Sequence, residues 1–236
     1  MSKTRWIVFA VICALVLGGL VVLANKDKKD VSSIDPSKII LTQGDSIGDH
    51  VYGNKSAKVV VFEYGDFQCP SCGGAYPQLK AIKEQYKDQI AFVFRNFPLT
   101  SIHPNAFASS ATAEAAGLQG KFWEMHDQLY DTQTSWSNAS AGDRNGIFDQ
   151  YATNVGLNVD EYKNALTGKS VSEKIARDRA LGAKVGVEGT PSIFIGSTKM
   201  GTEVIQNTVS GDGSKLKAEI DKSLKTAGVE LPAENQ

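Results

Sequence analysis

The chain predicts an α/β domain with its elements in the order β-α-β, a helical block, then β-β-α. Three observations carry this. Val59-Val60-Val61-Phe62-Glu63-Tyr64 is a short, β-branched, apolar run of the kind that forms a buried strand, and Ile90 to Phe97 is a second. Between them, Ser71 to Lys87 places Ala75, Leu79, Ile82 and Tyr86 on one helical face. From about residue 100 to 186 the periodicity is mostly helical, before Ser192-Ile193-Phe194-Ile195-Gly196 returns to a strand pattern.

Taken in order, the chain opens with Lys3 and Arg5, then the uncharged apolar run Ile7 to Ala24. That run reaches the lower limit of a bilayer span, about 18 residues. A signal-peptide core is usually shorter, about 7–15 residues, although Val22-Leu23-Ala24 offers a cleavage site. An uncleaved transmembrane anchor is therefore favoured over a signal peptide. Lys26, Lys28 and Lys29 outnumber the two basic residues before the run, so charge does not orient it. Long domains translocate largely regardless of such charges, which puts residues 1–6 in the cytoplasm and the bulk outside. Residues 25–43 read as a tether, polar and without periodicity up to Ser37, with Ile39 to Gln43 as a short edge strand. The strand from Lys58 to Phe67 leads into the helix, which Pro77 should kink beside Gly73 and Gly74. The helical block divides into Pro104–Gly117, Lys121–Thr132, Asp143–Val155, Asp160–Leu166 and Val171–Val185. Lys199–Gln206 then reads as a hairpin partner, and Ser214 to Ala227 as a closing amphipathic helix.

Composition narrows the function. With 25 Lys and Arg against 26 Asp and Glu, and no basic cluster interleaved with aromatics, a nucleic-acid binder is excluded. Of the 3 cysteines, Cys13 lies within the apolar run and reads as a small hydrophobe. The exported part then holds only Cys69 and Cys72. A structural disulfide gains more by closing a longer loop, so one tight pair reads as a redox couple. In Cys69-Pro70-Ser71-Cys72, Pro70 suits the first helical position, which makes Cys69 the N-cap. Its sulfur then faces the free amides of the first turn and the positive end of the helix dipole, and both favour thiolate.

Longer motifs extend this reading. Phe62 to Cys72 (FEYGDFQCPSC), Arg95-Asn96-Phe97-Pro98-Leu99 with His103-Pro104, Gln119 to His126 (QGKFWEMH) and Gly189-Thr190-Pro191 together resemble the DsbA-like thiol-disulfide oxidoreductases. With the apolar N-terminus, the resemblance is to the membrane-anchored, BdbD-like members of Gram-positive bacteria. It implies a thioredoxin fold over residues 44–231 with a helical insertion domain at about 100–186, preceded by the transmembrane helix at 7–24. It also implies an extracytoplasmic enzyme that introduces disulfides into exported proteins with free thiols, reoxidised by a quinone-linked membrane partner. Cys69 would attack and be attacked, and Cys72 would resolve. Glu63 would be a buried acid exchanging the proton of Cys72, since a carboxyl in an apolar site titrates nearer neutrality. Pro191 would be a cis-proline placing Thr190 against the sulfur pair, where an extended client pairs with it. Pro70 and Ser71 would tune the couple. The family usually carries histidine at the second of these positions, so serine predicts a less oxidising pair.

The other candidates stay structural. His50, His103 and His126 lack zinc-finger spacing with the sulfur pair, no calcium loop is legible, and neither metal nor cofactor is predicted. Trp123, Phe122 and Met125 read as core, and Trp136 as part of a partly exposed polar loop. A monomer is expected; isomerases of this superfamily usually add a dimerisation module, and none is visible. The alternatives are a reductase or isomerase, or a tethered chaperone whose cysteines form a local clasp.

Overall fold

The computed structural model describes Trp6, Phe9, Ile12, Cys13 and residues 29–233. The predicted anchor at 7–24 and the start of the tether therefore lie largely outside the described residues. Among the described residues, no helix is long and apolar enough to cross a membrane. The elements are β1 (Val51–Gly53), β2 (Val59–Gly65), α1 (Pro70–Gln85), β3 (Ile90–Asn96), α2 (Ala106–Gly117), α3 (Phe122–Asp131), α4 (Gln133–Trp136), α5 (Ala141–Asn154), α6 (Val159–Leu166), α7 (Lys169–Lys184), β4 (Ser192–Ile195), β5 (Thr198–Lys199), α8 (Thr202–Val209) and α9 (Ser214–Thr226).

The strands form one mixed sheet in the order β1-β3-β2-β4-β5. β2 runs parallel to β3, with Val59 opposite Ile90 and Gly65 opposite Asn96, while β4 runs antiparallel to β2. Side chains alternate across a strand, and β2 follows that rule. Val59 and Val61 face α1 and α9, packing with Leu79, Ile82 and Leu216, whereas Phe62 and Tyr64 face Leu181 and Val187. Glu63 continues the Val59–Val61 row and so points toward α1. The buried stripe Ala75, Leu79 and Ile82 presses that helix to the sheet. Each such Leu or Ile contributes about 2 kcal/mol on burial. The helix runs unbroken through Pro77.

The helical block packs through Leu181 on the Phe62–Tyr64 face of the sheet and through Phe122, Met125 and Leu129 on Phe67, Cys72 and Phe94. A buried charge network joins it to the rest: Arg95 Nη2 donates to Asp49 Oδ2 at 2.8 Å and Lys174 Nζ to Asp178 Oδ2 at 2.6 Å, while Asn96 Nδ2 donates to Glu114 Oε1 at 2.6 Å. Charges this deeply buried are tolerable only when paired.

Three sequence expectations are corrected. Ile39–Gln43 is not a sheet strand; the edge strand is β1. The reason is that side chains take the backbone groups of this stretch. Asp49 accepts from Ile40 N at 2.9 Å, and Arg95 donates to the carbonyls of Pro36 and Lys38. Just upstream, Lys184 Nζ donates to the carbonyls of Val31, Ser32 and Ile34 at 3.1, 2.9 and 2.8 Å, so residues 31–40 are docked rather than free. Lys199–Gln206 is only briefly a strand, because Gly201 caps α8 and Val204, Ile205 and Val209 turn onto the core as a helix does. Trp136 is fully buried, its Nε1 donating to Leu129 O at 3.0 Å and its ring meeting Phe148 edge-on.

Candidate active site

The turn between β2 and α1 carries the two sulfurs. Cys69 is the N-cap of α1 in an extended conformation, φ −68° and ψ 123°, with Pro70 at the first helical position. That geometry leaves the first-turn amides unpaired within the helix, so they are free for the sulfur. Cys69 is almost covered, at 6 % exposed, and Cys72 is fully buried beneath it; both are free thiols. Pro70 and Ser71, between them, are exposed.

The two thiols titrate in opposite directions. Cys69 is lowered to about 5, chiefly by the hydrogen bond from Cys72, against the cost of its own burial. The amides of Cys72 and Ser71 add to the effect, although Sγ makes no cap hydrogen bond to them. Cys72 is pushed well above the ordinary thiol value, by burial first and then by donating to Cys69. At neutral pH the outer sulfur is a thiolate and the inner one a thiol. Linkage fixes the sign: Cys69 contributes stability to the reduced fold that grows as pH rises from about 5 toward the ordinary value of 9.

Glu63 lies below the pair, 2 % exposed, on the row of β2 that faces α1. Burial raises it to about 8, opposed by the charge of Lys83 and reinforced by that of Cys69. Thr190 precedes the cis-proline Pro191, and its carbonyl lies 3.4 Å from Cys69 Sγ. The structure thus brings Cys69, Cys72, Glu63, Thr190 and Pro191 to one place, with Pro70 and Ser71 at its surface.

Several residues around the turn escaped the sequence reading. Asp66 is fully buried, and its carboxylate accepts from Gln68 N at 2.8 Å, Leu99 N at 3.0 Å and His103 Nδ1 at 2.7 Å. The Gln133 amide donates to Phe67 O at 2.7 Å and Cys69 O at 2.9 Å. Lys83 is buried on α1 and donates to Asp127 at 2.9 Å, beneath the rings of Trp123 and Tyr52. A lysine beside the apolar stripe of α1 was the one signal available for it. Each histidine sits against a carboxylate: His50 with Glu114, His103 with Asp66 and His126 with Asp127.

The chain is similar to known proteins of several kinds. Residues 45–211 match the family model described as Thioredoxin. The Na(+)/H(+) antiporter NhaA 3 of Salinispora tropica is 32% identical over 194 residues, which are 82% of this chain but 28% of the antiporter. The chain thus spans little more than a quarter of that relative. The probable disulfide bond formation protein D of Bacillus anthracis is 27% identical over 228 residues, 93% of this chain and 94% of that one. Among solved structures, BdbD from Bacillus subtilis in its oxidised form superposes with a TM-score of 0.63 at 21% identity, covering 75% of this chain and 93% of that one. A thioredoxin-like oxidoreductase from Silicibacter pomeroyi gives 0.61 at 23% identity, covering 84% and 99%.

Proposed function

The chain belongs to the thioredoxin family, and from that premise we propose that it is a thiol-disulfide oxidoreductase working as a dithiol oxidase on exported proteins. One arrangement supports the direction: Cys69 caps α1 ahead of Pro70 with the fully buried Cys72 thiol beneath it, which lowers Cys69 to about 5 and keeps Cys72 protonated. A stabilised thiolate is a good leaving group and stabilises the reduced enzyme, which makes the disulfide form a stronger oxidant.

In the oxidised enzyme a client thiolate attacks Cys69 Sγ and the Cys69–Cys72 bond breaks. The electron pair goes to Cys72 Sγ, which takes the proton held by Glu63. A second client thiolate then attacks the client sulfur of the mixed disulfide, and Cys69 leaves as the stabilised thiolate. The client gains a disulfide, and the enzyme holds the two electrons as a dithiol. Thr190 offers the client backbone a pairing partner beside Cys69, as in strand addition. The apolar segment at 7–24 supports an extracytoplasmic, membrane-tethered location, where a quinone-linked partner would take the electrons onward.

Ser71 supports a milder oxidant, and with it the second reading as a reductase or isomerase, because it adds no positive charge beside the thiolate. The deciding experiment is a glutathione-buffered titration of the pair. A potential well above that of thioredoxin, about −270 mV, fits the oxidase. A value at or below it would make the protein a reductase. Replacing Ser71→His is expected to raise the potential by about 30 mV, a tenfold change in the equilibrium constant. An unchanged potential would remove Ser71 from the account.

A further inference from the structure

Gln133 lies 64 residues beyond Cys69, on the four-residue helix α4 of the helical block, yet its amide reaches the sulfur-bearing turn. Nε2 donates to Phe67 O at 2.7 Å and to Cys69 O at 2.9 Å, so a single NH2 group bridges the two ends of the turn. The Cys69 carbonyl also accepts from Gly73 N at 3.1 Å as the first bond of α1. The other side of the amide rests on Gly73, where an added Cβ would come 2.3 Å from Gln133 Oε1. Gly73 therefore leaves the space that the glutamine fills. Its loop is held in turn by Gln68, whose side chain donates to Ser137 O and accepts from Asn105 N, each at 2.6 Å.

We infer that Gln133 is a positioning residue through which the helical block sets the reactivity of Cys69. Two effects act together. The bridge holds the Cys69 backbone extended, the conformation in which an N-cap side chain meets the free amides of its helix. It also turns two N–H dipoles onto carbonyl oxygens whose negative ends lie in the same turn as the thiolate. Without it, Cys69 can relax toward helical dihedrals, and its sulfur turns away from the open end of the helix.

This inference rests on Cys69 being the attacking sulfur, and its test separates the two. Cys69 alkylation is followed against pH, with adducts mapped by mass, in the wild type and in Gln133→Leu, Gly73→Ala and the double variant. Gln133→Leu is expected to raise the midpoint by about one unit, which at pH 4 is a roughly tenfold loss of thiolate and of rate. Gly73→Ala should do the same by evicting the glutamine, and the double variant should add nothing further. Equal midpoints for wild type and Gln133→Leu, both folded by circular dichroism, would overturn the role of Gln133. So would additive shifts in the double variant. If Gln133→Leu does not fold, Gly73→Ala alone decides. A wild-type midpoint near that of free cysteine would instead overturn the reading of Cys69 itself, and the positioning role with it.

Discussion

The Cys72→Ser protein is expected to lose turnover by at least about a thousandfold, as when one member of a cooperating catalytic unit is removed, and to accumulate clients covalently bound to Cys69. The reason is the division of labour between the sulfurs. Cys69, at the helix end and held as a thiolate at about 5, keeps its power to attack a disulfide. The thiol that would break the resulting bond is the fully buried Cys72, and serine offers no sulfur in its place. Non-reducing electrophoresis with mass mapping of the adducts checks this. Cys13 is also a free thiol, so the adducts must map to Cys69. Turnover close to wild type, or adducts on Cys13 alone, would defeat the proposed chemistry.

Glu63→Gln should have the second largest effect, with kinetic and thermodynamic signatures. When Cys72 attacks a mixed disulfide on Cys69 it must first give up its proton, and burial holds that proton tightly. The Glu63 carboxylate, formed near pH 8, is the base we propose for it. The release rate of glutathione from a Cys69 adduct should therefore rise with pH through about 8 in the wild type. Glutamine should slow it about a hundredfold, at the low end of what a positioned general base supplies, and erase the inflection. Stability should move the opposite way. A carboxyl raised from 4.5 to about 8 binds its proton more tightly in the fold, so its contribution to stability falls as pH climbs through that interval, by about 1.4 kcal/mol per unit, against the opposite contribution of the Cys69 thiolate in the reduced protein. Glu63→Gln should remove this slope and unfold at higher denaturant concentration above pH 8. An unchanged release profile would exclude Glu63 as the base.

What was legible in the sequence is what local spacing controls. The strand, the turn and the proline-started helix place Cys69 as N-cap within a few residues, while Glu63 is expected beside the pair only through the family resemblance. The contacts that hold the turn were not legible. The Asp66–His103 pair spans 37 residues and the Gln133 bridge 64, and neither partner carries a local pattern that names the other. Trp136 was misread for the same reason. Its neighbours in the chain are Ser, Thr and Asn, but its burial is decided by Leu129 and Phe148. Ile39–Gln43 has strand-like residues, yet Arg95 and Asp49, chosen by tertiary packing, take the backbone groups around it.

The pairing of Asp49 with Arg95, and of Lys174 with Asp178, makes the molecule harder to dissect than its layout implies. Asp49 comes from the chain just ahead of β1, Arg95 from β3 and Lys174 from the last helix of the block, and all three are sealed from solvent. Any shortened version starting beyond Asp49 would leave Arg95 in the interior without its carboxylate, while Lys174 kept Asp178 and Glu114. Breaking such an arrangement costs about 3–5 kcal/mol, a large part of what keeps an ordinary domain folded. The sheet and the helical block are thus tied together in folding, and only trimming that also spares the Pro36 and Lys38 carbonyls leaves the Arg95 site whole.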